Sequence, residues 1–111
     1  MLSMYPACFY KEKDGQYTVI FPDLNHLATC GTDLQNAMKM ATDCLAGFLY
    51  EAKLSNEAVP EPSELNTIDV NEEYSDYAEA FVNIVSVDVE AYAKELSLIH
   101  ISEPTRPLYI S

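Results

Sequence analysis

Asp23, His26 and Cys30 are the residues whose types could support catalysis, since they fall close together in one short stretch. A histidine near a carboxylate could act as a general acid or base, and a cysteine could act as a nucleophile if a base activated it. The spacing fixes no second catalytic partner, and nothing around Cys30 would activate a thiol. We therefore interpret His26 as a loop histidine and predict no catalytic residue.

The carboxylates are the other chemical groups of interest, because several together could hold the metal ion of a nuclease. Metal nucleases need inward carboxylates on separate strands, whereas Asp14, Asp23 and Asp33 fall in predicted turns or at a helix start. The acids of residues 72–79 lack the alternating spacing of a calcium loop. The sequence predicts no metal site and no cofactor, and it leaves a metal-dependent ribonuclease as the weakest alternative.

The overall charge indicates which partners the surface can bind. Eighteen Asp and Glu oppose six Lys and Arg in 111 residues, which gives a formal charge of -12. Such a surface repels phosphate backbones and attracts basic proteins. Apolar residues make up 49% of the chain, enough for one folded domain of this length. We expect a binding domain that does not contact nucleic acid directly.

Cysteine usage and hydropathy bear on the compartment. Cys8, Cys30 and Cys44 are odd in number and form no CxxC pair, which favours reduced, mostly buried thiols over a disulfide framework or a zinc site. No stretch reaches transmembrane length, and the N-terminus lacks the pattern of a signal peptide. These features predict a cytoplasmic protein without membrane contact.

The elements that position these residues begin with a β-hairpin. Residues 5–10 place apolar side chains on one face, as a half-buried strand does, and Pro6 suits a strand end or a sheet edge. An Asp-Gly turn leads to a second strand at residues 16–21, and residues 27–30 can form a third. Residues 81–87 are rich in β-branched side chains, which predicts a fourth strand.

Two helices complete the predicted fold. Thr32 and Gln35 fit a capping box, in which the Thr32 hydroxyl accepts from the N–H of residue 35 and Gln35 reaches back. The helix runs to about Ser55, and its apolar stripe should cover one face of the sheet. A proline-containing connector follows, and Asp88 offers an N-cap for a final helix. The prediction is an α+β fold, an antiparallel sheet with one long amphipathic helix packed on it, in the order β-β-β-α-β-α.

Four stretches resemble, in order and spacing, the HicB family of antitoxins. They read YPACFYKEKDGQYTVIFPDL (5–24), CGTDLQNAMKMATDCL (30–45), VPEPSEL (59–65) and VNIVSVDVEAYAKE (82–95). The resemblance implies a prokaryotic antitoxin, not an enzyme, that binds and neutralises a small basic mRNA-cleaving toxin of the HicA type. It also implies a homo-oligomer. The alternative is a stand-alone protein- or ligand-binding domain of the same fold.

The end of the chain has a different character. Residues 96–106, LSLIHISEPTR, resemble a forward translation of the transposase adapter used in sequencing libraries. We therefore predict a natural domain at residues 1–95 and a non-native tail at residues 96–111. The tail holds one acid, Glu103, and one base, Arg106, so the charge of -12 belongs to residues 1–95. HicB relatives usually continue into a DNA-binding segment, which this tail would replace.

Two surfaces are predicted to bind the partner. The preferred one combines tyrosine, which is favoured at interfaces, with acids that would steer a basic partner. We call it the acidic-tyrosine surface, and its residues are Glu72, Glu73, Tyr74, Asp76, Tyr77 and Glu79. The second, the loop surface, consists of Leu24, Asn25 and His26. An ordinary solvated loop is the alternative reading of the first.

Overall fold

A single antiparallel sheet organises the molecule. The computed structural model describes residues 2–102, without the side chains of residue 73 and residues 96–102. The sheet has the order β3-β2-β1-β4, and its strands are β1 (Leu2–Lys11), β2 (Tyr17–Phe21), β3 (Leu27–Gly31) and β4 (Glu79–Asp88). This architecture confirms the predicted α+β class. Both β1 and β4 are longer than predicted, because they pair with each other along their whole length.

One long helix, α1 (Leu34–Leu54), covers one face of this sheet. Its N-cap is Asp33, whose carboxylate accepts the N–H of Asn36 at 2.8 Å, and Asn36 Oδ1 accepts the N–H of Thr32 at 3.0 Å. The predicted capping box is therefore wrong by one residue. The reason is electrostatic, since a carboxylate is a stronger acceptor than a hydroxyl at the positive end of a helix. The helix ends at the C-cap Ser55, as predicted.

The core lies between α1 and the facing side of the sheet. Alternate residues of β1 point toward the helix, and the helix returns small and branched residues at three- and four-residue steps. The predicted stripe is thus confirmed as the core face of α1 except at its first residue, Leu34, which is 41% exposed. The buried residues are Tyr5, Ala7, Phe9, Val19, Phe21, Leu24, Ala37, Ala41, Leu45, Ala46, Leu49, Val85 and Val87.

The opposite face of β1 is also buried over residues 6–10, so the prediction of a half-buried strand is wrong there. Pro6, Cys8 and Tyr10 have no exposed surface, although their side chains point away from α1. The connector after α1 folds back over them and includes a short helix, α2 (Val70–Glu73). The Tyr10 hydroxyl donates to the Val70 carbonyl, which ties the connector to the sheet. A strand covered on both faces loses the alternation that sequence patterns rely on.

Pro6 lies within the central strand instead of at a strand end or sheet edge. Its partner on β4 is Ile84, and Ile84 donates its own N–H to Asn83 Oδ1 at 2.8 Å. Along the other side of β1, the register with β2 begins only at Cys8. Proline has no N–H to give to a ladder, so it is tolerated where a neighbouring strand has already ended. Pro6 thus occupies a local edge inside the sheet.

The three thiols are free, and they differ in exposure. Cys8 is buried and Cys44 is half-buried, where burial raises the pKa of the Cys44 thiol. Cys30 is exposed, so the expectation of mostly buried thiols is wrong for this residue. The reason is its position on β3, the other end strand of the sheet, on the face away from α1.

The last helix, α3 (Val89–Ser102), gives a prediction about acid stability. Asp88 Oδ1 accepts the N–H groups of Glu90 and Ala91 at 3.1 and 3.2 Å, as expected of an N-cap. The bond from Ala91 is the main reason why the pKa of Asp88 lies below its ordinary value of 3.8. A carboxylate whose pKa is lower in the folded state than in the unfolded state stabilises the fold at pH values above the unfolded-state pKa. This contribution is lost as the pH falls through the folded-state pKa.

We therefore expect the Asp88→Asn variant to lose less thermal stability than the wild type between about pH 6 and pH 3, because asparagine caps a helix without titrating. Melting temperatures across this range measure the effect. Asp43→Asn, an exposed site within α1, serves as the control. Equal acid sensitivity of Asp88→Asn and the wild type would contradict the assignment.

Candidate partner-binding surfaces

The acidic-tyrosine surface is built on a cluster of three tyrosine rings. Tyr10 is fully buried, and the half-exposed rings of Tyr74 and Tyr77 pack against it with centroid distances of 5.2 and 5.3 Å. Tyr74 meets Tyr10 edge-on at 90°, which is a favourable arrangement for aromatic rings. The two outer rings therefore reach solvent from a fixed base, as anchor residues of an interface do.

Hydrogen bonds hold this cluster against the β1–β2 hairpin. The Tyr74 hydroxyl donates to Glu12 Oε1 at 3.1 Å, and the Tyr77 hydroxyl donates to Asn71 Oδ1 at 2.7 Å. The N–H of Ala78 donates to the Lys11 carbonyl at 2.8 Å, just before β4 begins. These bonds join α2, the following loop and the hairpin, and they therefore restrict the positions of the Tyr74 and Tyr77 rings.

The electrostatics of the surface are dominated by carboxylates. Glu12 raises the pKa of Tyr74, and the largest cause is the hydrogen bond from the Tyr74 hydroxyl to the Glu12 carboxylate. Lys13 Nζ lies 3.7 Å from Asp76 Oδ1, and both side chains are 81% exposed. Such an exposed ion pair contributes little to stability, so Asp76 can exchange Lys13 for another cation. Glu72 and Glu79 are exposed as well. This arrangement can accept cationic side chains at the hairpin end of the sheet.

Of the predicted residues, the structure brings Tyr74, Asp76 and Tyr77 together beside the hairpin, while Glu72 and Glu73 lie on α2 and Glu79 begins β4. Sequence reasoning missed the two residues that support them, Tyr10 and Glu12. An aromatic residue at an even position of a strand whose odd positions form the core was the available signal, because it indicates burial on both faces.

The loop surface lies at the opposite end of β2, so the two predicted surfaces do not merge. The five residues of β2 separate them, a span of about 17 Å. Leu24 is only 2% exposed and packs in the core, so it supports the loop from beneath. Asn25 and His26 are exposed, and both adopt left-handed backbone conformations with φ near 60°. These two residues alone present side chains at the loop surface.

Next to this loop, Asp23 ties the connector to the end of β2. Its two carboxylate oxygens accept the N–H and the hydroxyl of Ser63, each at 2.7 Å. The Tyr5 hydroxyl donates to the Pro60 carbonyl at 2.7 Å in the same region. Both carboxylate oxygens of Asp23 therefore have structural partners, which argues against its use as a catalytic base.

Two searches of residues 2–102 bear on the predicted functions. Within them, no group of three or more histidine, cysteine, aspartate or glutamate side chains is arranged to hold a metal ion. The helices of the same region are all too short or too polar to cross a membrane.

The sheet order and the helix that covers it define the α+β fold, and the class of protein follows from the family match. Residues 5–109 match the family described as HicB-like antitoxin of bacterial toxin-antitoxin systems, and the chain belongs to this family. Membership indicates a non-catalytic, regulatory protein. No curated protein matches the sequence significantly.

Solved structures share the fold. One chain of a toxin-antitoxin complex from Streptococcus pneumoniae is 26% identical with a TM-score of 0.71, over 100% of this chain and 82% of that one. The N-terminal domain of Burkholderia pseudomallei antitoxin HicB is 23% identical with a TM-score of 0.61, over 78% and 99%. A chain of the HicA3 and HicB3 toxin-antitoxin complex is 21% identical with a TM-score of 0.59, over 78% and 99%. The boundary at residue 95, the homo-oligomer and the cytoplasmic location stay predictions.

Proposed function

We propose that this chain is an antitoxin that binds and neutralises a small basic toxin of the HicA type through its acidic-tyrosine surface. The observation that carries the proposal is the pair of half-exposed rings, Tyr74 and Tyr77, fixed on buried Tyr10 among exposed carboxylates. A solved relative of the same fold is one chain of a HicA3 and HicB3 complex, which supports this kind of partner.

The chemistry of the surface fits a toxin that acts on RNA. Such a toxin needs a cationic face to hold phosphates, and carboxylates can occupy that face in place of the substrate. Arginine and lysine side chains can also lie over the exposed tyrosine rings. The formal charge of -12 raises the rate of encounter with a basic protein, while the ordered aromatic anchors slow dissociation. Neutralisation then follows from simple occlusion of the toxin's RNA-binding face.

We also infer that residues 1–95 suffice for this activity and that residues 96–111 take no part in it. The acidic-tyrosine surface and its supporting hydrogen bonds lie before residue 80. A chain ending at Glu95 should bind the same partner with unchanged affinity. Loss of binding on this truncation would assign the last residues a role.

The test uses the small basic protein encoded beside this gene, co-expressed and purified with the full chain. We expect Tyr77→Ala to weaken the complex by about thirtyfold, as for a central aromatic anchor at about 2 kcal/mol. Tyr50→Ala is the matched control, because Tyr50 is also half-buried but packs on Tyr92 at α1. Calorimetric titration gives both dissociation constants.

A second variant separates charge from packing. Asp76→Lys should slow association and reduce its dependence on salt, with little change in dissociation, because it alters an exposed charge at the rim. Absence of any complex, or equal losses for Tyr77→Ala and Tyr50→Ala, would contradict the proposed surface. Absence of a complex together with an intact fold would favour the stand-alone binding domain.

A further inference from the structure

The connector between α1 and β4, residues 56–78, is attached to the rest of the fold at two separate places. At the end of β2, the two carboxylate oxygens of Asp23 accept the N–H and the hydroxyl of Ser63, each at 2.7 Å. Near the hairpin, the Tyr10 hydroxyl donates to the Val70 carbonyl. Between these attachments the connector crosses the face of the sheet that points away from α1.

Little of the connector is buried along this crossing. In residues 57–70, only Ser63, Ile68 and Val70 are half-buried, and every other residue is exposed. The sheet beneath has the opposite character, since Cys8 at the middle of β1 has no exposed surface. A segment with few buried apolar side chains opens at a lower free energy than the whole domain. The connector can therefore leave the sheet while the core under α1 stays folded.

Local hydrogen bonds join the two attachments, so the segment between them moves as one body. The N–H of Thr67 donates to the Glu64 carbonyl at 3.0 Å. Asp69 then caps α2 by accepting the N–H of Asn71 at 2.9 Å. Because α2 leads directly into the acidic-tyrosine surface, release of the connector at the end of β2 also loosens that surface.

We propose that Asp23 is a positioning residue for partner binding, because its two bonds to Ser63 keep the connector closed on the sheet and the acidic-tyrosine surface assembled. This role rests on the proposed toxin binding by that surface. Asp23 lies beyond the opposite end of β2, so it acts through the connector and not by contact with the partner. The partner binds the closed form, and its apparent affinity falls in proportion to the closed fraction of the molecules.

The Cys8 thiol reports opening, because it can react with an aromatic disulfide reagent only when the connector has left the sheet. The full chain carries Cys30→Ser and Cys44→Ser, so that Cys8 is its only thiol. We expect Asp23→Ala to raise the rate of Cys8 labelling roughly tenfold to a hundredfold, as loss of hydrogen bonds to a carboxylate does. Ser63→Ala removes one of the two bonds and should raise the rate by a smaller factor.

Asp33→Ala is the matched control, because the Asp33 carboxylate also accepts a backbone N–H but caps α1 on the other face of the sheet. It should lower the urea midpoint without changing the rate of Cys8 labelling in native buffer. Asp23→Asn keeps an oxygen acceptor for Ser63 and should be labelled nearly as slowly as the wild type. Equal labelling of Asp23→Ala and the wild type, or equal acceleration by Asp33→Ala, would overturn the proposal.

The co-expressed basic protein tests the link between the connector and binding. Because linkage is reciprocal, a partner that binds only the closed form opposes opening, and at saturation it should slow Cys8 labelling roughly tenfold or more. Asp23→Ala should weaken the complex about threefold or more, whereas Asp33→Ala should not. Failure of every variant to form a complex would contradict the proposed function. A complex that forms equally well with Asp23→Ala and leaves Cys8 labelling unchanged would overturn the role of Asp23 alone.

Discussion

Gly31→Ala is expected to lower the free energy of unfolding by about 1 to 3 kcal/mol, as overpacking of a close contact does. A Cβ atom at residue 31 would lie 2.5 Å from both the Cα and the N of Ala37. These are backbone atoms in the first turns of α1, so no side-chain rotation can relieve the clash. The helix would have to move away from β3, which disturbs the packing of Ala37 and Ala41 against the sheet.

The measurement is urea denaturation of the variant and the wild type. Gly15→Ala is an informative control, because Gly15 has a left-handed φ of 90° but nothing within 4 Å of an added Cβ. Its cost should come from backbone conformation alone, about 1 kcal/mol. A change smaller than about 0.5 kcal/mol for Gly31→Ala, the range of ordinary surface substitutions, would show that α1 can shift freely.

Tyr10→Ala should have the largest effect on stability. We expect it to lower the free energy of unfolding by about 3 to 5 kcal/mol, as for other buried aromatic residues. Tyr10 is fully buried and holds the rings of Tyr74 and Tyr77 and the carbonyl of Val70. Its removal should release the connector, so hydrogen exchange should accelerate across residues 65–78. Tyr10→Phe keeps the ring contacts and removes one hydrogen bond, and we expect a loss of only about 1 kcal/mol.

Phe9→Ala is the matched control, because Phe9 is equally buried on the same strand but faces α1. It should cost a similar free energy and accelerate exchange mainly in α1. If Phe9→Ala and Tyr10→Ala accelerated exchange in the same segments, the connector would not depend on Tyr10. Tyr10→Ala should also weaken partner binding more than Phe9→Ala does, and Tyr10→Phe should bind the partner with an affinity close to that of the wild type.

The parts of the fold that sequence could predict are those with local causes. The hairpin follows from an Asp-Gly turn between two strands, and α1 follows from its apolar stripe and its cap. The cap was placed one residue early because Thr32 and Asp33 are both good capping residues. Asn36 decides which of the two becomes the N-cap. Its N–H donates to the Asp33 carboxylate, and its Oδ1 accepts the N–H of Thr32, and both bonds form only when Asp33 is the cap.

The parts that sequence could not predict depend on contacts between distant residues. Tyr10 and Val70 are separated by 60 positions, and Asp23 and Ser63 by 40. No local pattern indicates that the connector returns over the second face of β1. The acids and tyrosines of residues 72–79 are visible in the sequence, but their contacts with Tyr10 and Glu12 are not, because both of these residues belong to the hairpin.

Pro6 has a consequence for how the chain avoids misfolded sheets. Both sides of β1 are apolar, with Ala7 and Phe9 on one side and Cys8 and Tyr10 on the other, so hydrophobicity alone does not decide which side faces α1. Turning β1 inside out would direct the nitrogen of Pro6 toward β4, in the middle of a ten-residue ladder, where a hydrogen bond would be missing. Because Pro6 has no N–H, it favours the native orientation of β1 and disfavours the orientation in which the two faces of the strand are exchanged.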